Sequence, residues 1–272
     1  MHLVTLVASE RRNGNCDLLG RYAERYASTS DVKSELIYLK DFEIKQCQGC
    51  MRCVLNNEKC KIEDDIYTFI DVIQNGDALL LLAPTYVLTV PGTLKMVMDR
   101  FLCIYEKVKD KPLRPGISIG VCSPIDWNQF QLPLMNLFLL SLGYRVINSY
   151  FVYGAGQGEV LLENGVETIE NSIKNLVEYR PKPYASQIAK YCPIDFCTLF
   201  ERVEGDKFRC PVCLAPAVLK GDGFYFEAKD LNHHRWTKEN IHDHFVNWIL
   251  KTKPRYKTML KEIFKKKREL CL

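Results

Sequence analysis

Four cysteines fall within fourteen residues, Cys47, Cys50, Cys53 and Cys60, with the spacing C-x2-C-x2-C-x6-C. Thiolates are soft metal ligands, and two-residue gaps let successive sulfurs turn toward one centre. Ferredoxin-type loops hold an iron–sulfur cube in this way, and the longer gap lets Cys60 fold back as the fourth ligand of a [4Fe–4S] cluster. Disulfides at such short separations are strained. A zinc site and unmetallated thiols are the alternatives that the spacing leaves open.

A second group, Cys192, Cys197, Cys210 and Cys213, has the spacing C-x4-C-x12-C-x2-C. This is the two-knuckle logic of a zinc ribbon or a rubredoxin-like site, and a structural Zn2+ is expected, with mononuclear iron or no metal as alternatives. The first pair departs from the usual two-residue gap, and Asp195 stands where the second ligand would fall. Four sulfurs satisfy a tetrahedral site, so His233, His234, His242 and His244 read as surface or capping residues. Cys103 and Cys122 read as buried, inert thiols. Nothing in the chain has the pattern of a hydrolytic triad or an acid–base carboxylate pair. Asp64 and Asp65 read as favourable charges in the first turn of a helix.

The chain that positions these residues has 272 residues, 47% of them hydrophobic, and twelve cysteines. One large and one small domain are expected at this length. The longest apolar run, Ala78–Pro84, is too short to span a bilayer. The opening MHLVTLVASERRNG reads as a buried first strand and not as a signal peptide. A cytoplasmic protein with metal or redox use of its thiols, not inserted in a membrane, is the expectation.

Apolar runs at Leu3–Ala8, Val32–Leu39, Ala78–Ala83, Ile117–Cys122 and Val146–Val152 read as strands. Amphipathic stretches at Cys16–Ala27, Asp64–Gln74, Pro91–Lys107, Gln129–Leu142 and Glu163–Tyr179 read as helices. Alternation of this kind gives a doubly wound α/β fold over 1–180, a five-stranded parallel sheet with ligands at the carboxyl ends of its strands. Arg180–Tyr184, with two prolines, reads as a boundary. Short runs separated by turn signals then make a β-rich metal-binding module at 190–230. Thr237 caps a helical stretch, Pro254 ends it or separates it from a last helix at Tyr256–Leu270, and 237–270 forms the terminal helices. From Lys251 onward there are nine Lys or Arg against two Glu. That tail reads first as a solvated helix face. An acidic electron-transfer partner is a further reading, and nucleic acid is disfavoured.

The loop after the first strand runs Ser9-Glu-Arg11-Arg12-Asn13-Gly14-Asn15-Cys16 and ends on a helix N-terminus, where unpaired amides suit a phosphate. A polar helix-capping turn accounts equally well for this loop alone. Taken together, the loops carry a resemblance. The string S-x-R-x-N-G-N before a helix resembles the flavin-phosphate loop of the NADPH-dependent FMN reductase branch of flavodoxin-like proteins. The compact cysteine run followed by Lys61-Ile62-Glu63-Asp64-Asp65 is similar to the iron–sulfur flavoprotein subgroup. Pro84-Thr85-Tyr86-Val87, with Pro91-Gly92, Lys95 and Asp99-Arg100 beyond it, resembles that family's second flavin loop and following helix.

The resemblance implies that Ser9, Arg11, Asn13 and Asn15 hold the FMN phosphate. It implies that Pro84, Thr85, Tyr86 and Val87 line the isoalloxazine, and that Ser123 and Pro124 form a third loop. Cys16 departs from the family's Thr or Ser, and a thiol is a weak donor. Lys95 and Asp99, four apart, read as a helix-face ion pair. Gly154-Ala-Gly156-Gln-Gly158 is a turn that a ligand or a neighbouring chain can approach closely. The implied function is an FMN- and [4Fe–4S]-dependent oxidoreductase or electron carrier, a homo-dimer or tetramer fed by NAD(P)H or ferredoxin. The alternatives are a cluster-free NAD(P)H-dependent FMN, quinone or nitro-compound reductase, and a redox-sensing scaffold that binds protein or nucleic acid through the ribbon and tail.

Overall fold

A computed structural model describes residues 1–56, 58–123 and 125–271. Five parallel strands form the central sheet: β1 (His2–Val7), β2 (Lys33–Tyr38), β3 (Ala78–Pro84), β4 (Arg114–Cys122) and β5 (Tyr144–Tyr153). Their spatial order is β2-β1-β3-β4-β5, the flavodoxin-like order. β3 and β4 are buried along their whole lengths because helices cover both faces, so they read as unbroken apolar runs. Leu79 and Leu81 face one layer and Leu80 and Leu82 the other.

One face packs against α1 (Asn15–Thr29) and α7 (Gly165–Glu178) through Leu19, Ile169 and Ile173. The other packs against α3 (Ile66–Gln74), α4 (Gly92–Met98), α5 (Phe101–Val108) and α6 (Gln131–Ser141), with the short α2 (Arg52–Leu55) resting on α5. The amphipathic stretch read as one helix over Pro91–Lys107 is two helices. The chain turns at Asp99 and Arg100, where the Arg100 side chain enters the interior.

The second sheet is antiparallel, with strands β6 (Gln187–Ala189), β7 (Glu201–Glu204), β8 (Lys207–Arg209), β9 (Pro216–Lys220) and β10 (Gly223–Phe226) in the order β6-β10-β9-β8-β7. It does not hang on a loose linker. Tyr184 exchanges hydrogen bonds of 2.8 Å with the Asn232 side chain, and Arg145 stacks on the Tyr184 ring at 3.8 Å. Ile194, Phe226 and Leu231 of this module join the same core as Met135 and Leu139 of α6.

A buried polar knot crosses that seam. Ser118 of β4 bonds Asn136 Oδ1 at 2.5 Å and Ser149 of β5 at 2.7 Å, while Asn136 Nδ2 donates to the Asp195 carbonyl at 2.7 Å.

The chain ends in α8 (Ala228–Leu231), α9 (Lys238–Asp243), a π-helical segment at His244–Ile249 and α10 (Thr252–Glu269). Thr237 caps α9 by accepting from the Asn240 amide at 3.2 Å. Pro254 lies in the first turn of α10, where a missing N–H costs nothing, and the break between the π-helical segment and α10 falls just before it. The Phe245 ring stacks on Tyr105 of α5 at 4.0 Å. Among the described residues, no helix is long and apolar enough to cross a membrane.

Asn136→Ala would strip partners from the buried hydroxyls of Ser118 and Ser149 and from the Asp195 carbonyl. The expected loss is about 1–3 kcal/mol of unfolding free energy, read as a lower urea midpoint at unchanged slope.

Candidate functional site: a cleft at the strand ends and two thiol groups

The carboxyl ends of β1, β3, β4 and β5 open onto a cleft of about 230 Å³. It gathers Ser9, Arg11, Asn15, Cys16, Pro84, Thr85, Tyr86 and Ser123, together with Cys122, Gly154 and Ala155. Four loops distant in sequence therefore meet where the strand order reverses, the place where open α/β sheets bind ligands. Asn13 stands in an adjoining recess with Arg11 and Gly14. Val87 is outside the cleft and 90% exposed. Pro124 lies outside the described residues.

The first loop is held by Asp17, buried in the first turn of α1. Its carboxylate accepts from the Asn13 amide at 2.7 Å and from the Tyr38 hydroxyl at 2.6 Å. Gly14 offers no side-chain cap to α1, so the helix N-terminus faces the cleft with open amides. The two arginines divide their work. Arg12 stacks on Tyr38 at 3.3 Å and bonds Asp41 at 2.6 Å, whereas Arg11 lines the cleft and is in no ion pair among the described residues.

Asn15 has a different task from the expected one. Its amide nitrogen donates to the carbonyls of Gly154 and Gly156 at 3.0 and 3.1 Å, and its oxygen accepts from Gly158 at 2.8 Å. It therefore binds the glycine turn after β5 to the first loop. Gly154 admits no side chain, because a Cβ there would stand 2.8 Å from Val160. The Cys16 thiol is buried, which pushes its pKa up to about 12 against the pull of Arg11, so it stays neutral.

The second loop is fastened by Gln131, a residue that sequence reasoning missed. Gln131 accepts from the Thr85 hydroxyl and donates to the Ala83 carbonyl at 2.8 Å. It fits because Gly120 has no side chain; a Cβ there would be 2.7 Å from the Gln131 oxygen. Val87 and Leu88 have φ of 47° and 68°, a left-handed bend worth about 1–3 kcal/mol of strain per residue. The Phe130 amide bonds the Leu88 carbonyl at 3.0 Å and helps to hold that bend. Ile125 and Trp127 are more than 60% exposed, which gives this part of the surface an apolar rim.

The cysteine loop is shaped by Gly49 and Met51, both left-handed at φ 63° and 57°. The Gly49 amide points at the Cys47 sulfur at 3.4 Å, and the Cys60 amide donates to the Tyr67 hydroxyl at 2.9 Å. Burial raises the Cys53 thiol first, and the neighbouring thiols of Cys60, Cys50 and Cys47 add to the rise. In the second group, Cys192, Asp195, Cys210 and Cys213 bring their ligand atoms within 4.8 Å of one another.

Beneath the loop, Asp64 and Arg100 form a buried pair at 2.5 Å, and Arg100 also donates to the Lys45 carbonyl at 2.9 Å. Asp64 is thus not a surface helix charge. Asp65 is the N-cap residue of α3 and accepts from the Glu43 amide at 2.8 Å. Lys95 and Asp99 pair across one turn of α4, as expected. Burial opposes ionisation of Asp64, but Arg100 and two backbone amides outweigh it and lower the pKa.

In the second module, the structure brings together Cys192, Asp195, Cys210 and Cys213, all fully buried. Cys197 is buried nearby with its sulfur 3.4 Å from the Leu199 carbonyl. The histidines stand apart from this group: burial lowers His234 to about 4, and His242 bonds the Tyr105 hydroxyl at 3.1 Å. Every residue of α10 is exposed or half-buried, and Lys253 near its start reaches Asn56 of the cysteine loop at 3.5 Å.

A doubly wound sheet of this order, with a polar cleft at its switch point, defines a flavodoxin-like α/β protein. The family model described as "NADPH-dependent FMN reductase" matches residues 1–157. The chain belongs to that family. It is 35% identical over 100 residues to an iron–sulfur flavoprotein of Archaeoglobus fulgidus, covering 37% of this chain and 48% of that one. It is 32% identical over 119 residues to an iron–sulfur flavoprotein of Methanocaldococcus jannaschii, covering 44% and 56%. The chain thus spans about half the length of these curated relatives. A solved flavone reductase shares the fold over 99% of this chain and 96% of its own, with a TM-score of 0.71 and 16% identity.

Asp64→Asn would leave Arg100 buried without its counter-charge, at a cost of about 3–5 kcal/mol. The ion pair also predicts the pH response. A carboxylate whose folded pKa is depressed adds stability above its unfolded pKa and loses it as pH falls through the folded value. Acid titration of the unfolding free energy should therefore show a component that is absent from Asp64→Asn.

Proposed function

We propose that this protein is an FMN-dependent oxidoreductase that also carries a [4Fe–4S] cluster on Cys47, Cys50, Cys53 and Cys60. The observation that carries the flavin reading is the cleft itself. It joins the open amides of α1, the Arg11 guanidinium, in no ion pair among the described residues, and the Thr85–Tyr86 loop at the β1/β3 switch point. Arg11 and the α1 amides suit a phosphate dianion, while Ser9 adds a hydroxyl. Asn15 orients the glycine turn, and Asn13 stands beside the phosphate end. Thr85, held by Gln131, sets the wall against which Pro84 and Tyr86 present an apolar surface. Ser123 would complete the third side, and Val87 bends outward.

The cysteine loop fits a cube on two counts. Its four cysteines have the C-x2-C-x2-C-x6-C spacing, and the Gly49 amide approaches a sulfur as amides do around clusters. When bound, FMN exchanges hydride and single electrons, and a cube passes one electron at a time. The chain's part is to hold both groups and to shield them with Tyr86, Tyr67 and the buried Arg100. The similarity to iron–sulfur flavoproteins supports the cluster.

We assign electron supply to a reduced nicotinamide or a ferredoxin-type donor. Two observations bear on partners. The basic α10 starts beside the cysteine loop, which suits an acidic electron-transfer protein. The exposed Tyr86, Val87, Ile125 and Trp127 suit a second copy of the chain in a homo-oligomer. A cytoplasmic setting follows from the same reading.

Anaerobic purification should yield FMN and about four irons with sulfide per chain. Flavin without iron would leave the cluster-free reductase standing, and neither would end the proposal. Arg11→Ala should weaken FMN binding roughly tenfold or more, as loss of a charge-assisted phosphate contact does, measured by flavin fluorescence quenching. Cys53→Ser should lose iron while keeping FMN.

A further inference from the structure

Two turns in the second module have the same backbone. In the first, the Phe196 amide bonds the Cys192 carbonyl at 2.8 Å and the Cys192 amide bonds the Cys197 carbonyl at 2.9 Å. In the second, the Leu214 amide bonds the Cys210 carbonyl at 2.9 Å and the Cys210 amide bonds the Ala215 carbonyl at 3.0 Å. Proline follows the first residue in both, as Pro193 and Pro211. The fifth residue of each is left-handed, Phe196 at φ 56° and Leu214 at φ 62°. Superposing the pattern matches Cys192 with Cys210, Asp195 with Cys213, and Cys197 with Ala215. Asp195, not Cys197, therefore occupies the second ligand position of the first knuckle.

The distances agree. Cys192 and Cys213 sulfurs are 3.4 Å apart, and the Asp195 oxygens lie 3.2 and 3.3 Å from the Cys210 sulfur. These pairs form opposite edges of a small tetrahedron. Four ligands at the usual zinc bond lengths give edges of about 3–4 Å. The carboxylate is fully buried and in no ion pair among the described residues. Its protein donors are the Cys197 amide at 3.0 Å and the Cys210 thiol. An ionised carboxylate in that setting is costly without a cation. Cys197 as a fifth anionic group would only add like charge to a buried site.

We propose that the module binds one Zn2+ through the thiolates of Cys192, Cys210 and Cys213 and the carboxylate of Asp195, with Cys197 left as an uncoordinated thiol. On binding, the thiol and carboxyl protons pass to solvent, so uptake is favoured as pH rises. The Asp195 carbonyl accepts from Asn136 at 2.7 Å, which fastens the knuckle to α6 and, through Ser118, to β4. The metal thus secures the module to the flavodoxin-like body. The proposal is independent of the flavin and cluster readings.

The test is zinc K-edge X-ray absorption on the full-length protein, with zinc analysis of wild type and three variants. Wild type should contain one zinc per chain with three sulfurs and one oxygen in its shell. Cys197→Ala, which copies the residue at 215, should keep the zinc and its release rate to a chelator. Asp195→Ala should release it roughly tenfold faster or more. Asp195→Cys should retain the zinc with four sulfurs, and it decides the matter if Asp195→Ala fails to fold. A four-sulfur shell in wild type, loss of zinc in Cys197→Ala, or a zinc-free wild-type protein would overturn the assignment.

Discussion

The reversal of strand order between β1 and β3 is the constraint on which the site depends. From β1 the chain crosses over α1 to β2 on one side, and β3 leads through the opposite layer to β4 and β5. Right-handed crossovers send the two connections to opposite faces. The loops that leave β1 and β3 therefore diverge, and a crevice opens between them that no local sequence feature creates. Arg11, the α1 N-terminus and the Thr85–Tyr86 wall meet because of that divergence.

α6 ties the parts of the molecule together. Near its start, Gln131 holds the Thr85 loop at the cleft; further along, Asn136 holds the Asp195 carbonyl in the turn at Cys192–Cys197. Its apolar residues Met135 and Leu139 share one core with the second module. One helix thus sets the cleft wall and the docking of the second sheet. Both contacts are buried polar bonds, which fix geometry strictly because an unpaired partner would be expensive.

The cysteine loop follows a different rule. Its thiols are partly exposed and its backbone relies on two left-handed residues, so little in its own packing determines its shape. The support comes from below, where the Arg100–Asp64 pair joins the turn between α4 and α5 to the base of the loop. This accounts for the interruption of the amphipathic stretch at Asp99 and Arg100. The helical period persists through it, but a guanidinium must point inward at that position.

Much of this was legible in the chain itself. The apolar runs at 78–84 and 117–122 are uninterrupted because both faces of those strands are covered, and period and length alone reveal them. The loops that line the cleft were legible as motifs, and the two cysteine groups by their spacing. What stayed hidden were the roles that depend on a distant partner. Asn15 serves the turn at 154–158, Arg12 is committed to Tyr38 and Asp41, and Gln131 reaches back to Thr85. Asp195 already stands at the x2 position in the sequence, but the backbone shared by its turn and the turn at Cys210 exists only in the folded module. Side-chain period and spacing are local properties, written in order along the chain. Which polar group meets which is decided by strand register and layer packing, and these exist only once the sheet has closed.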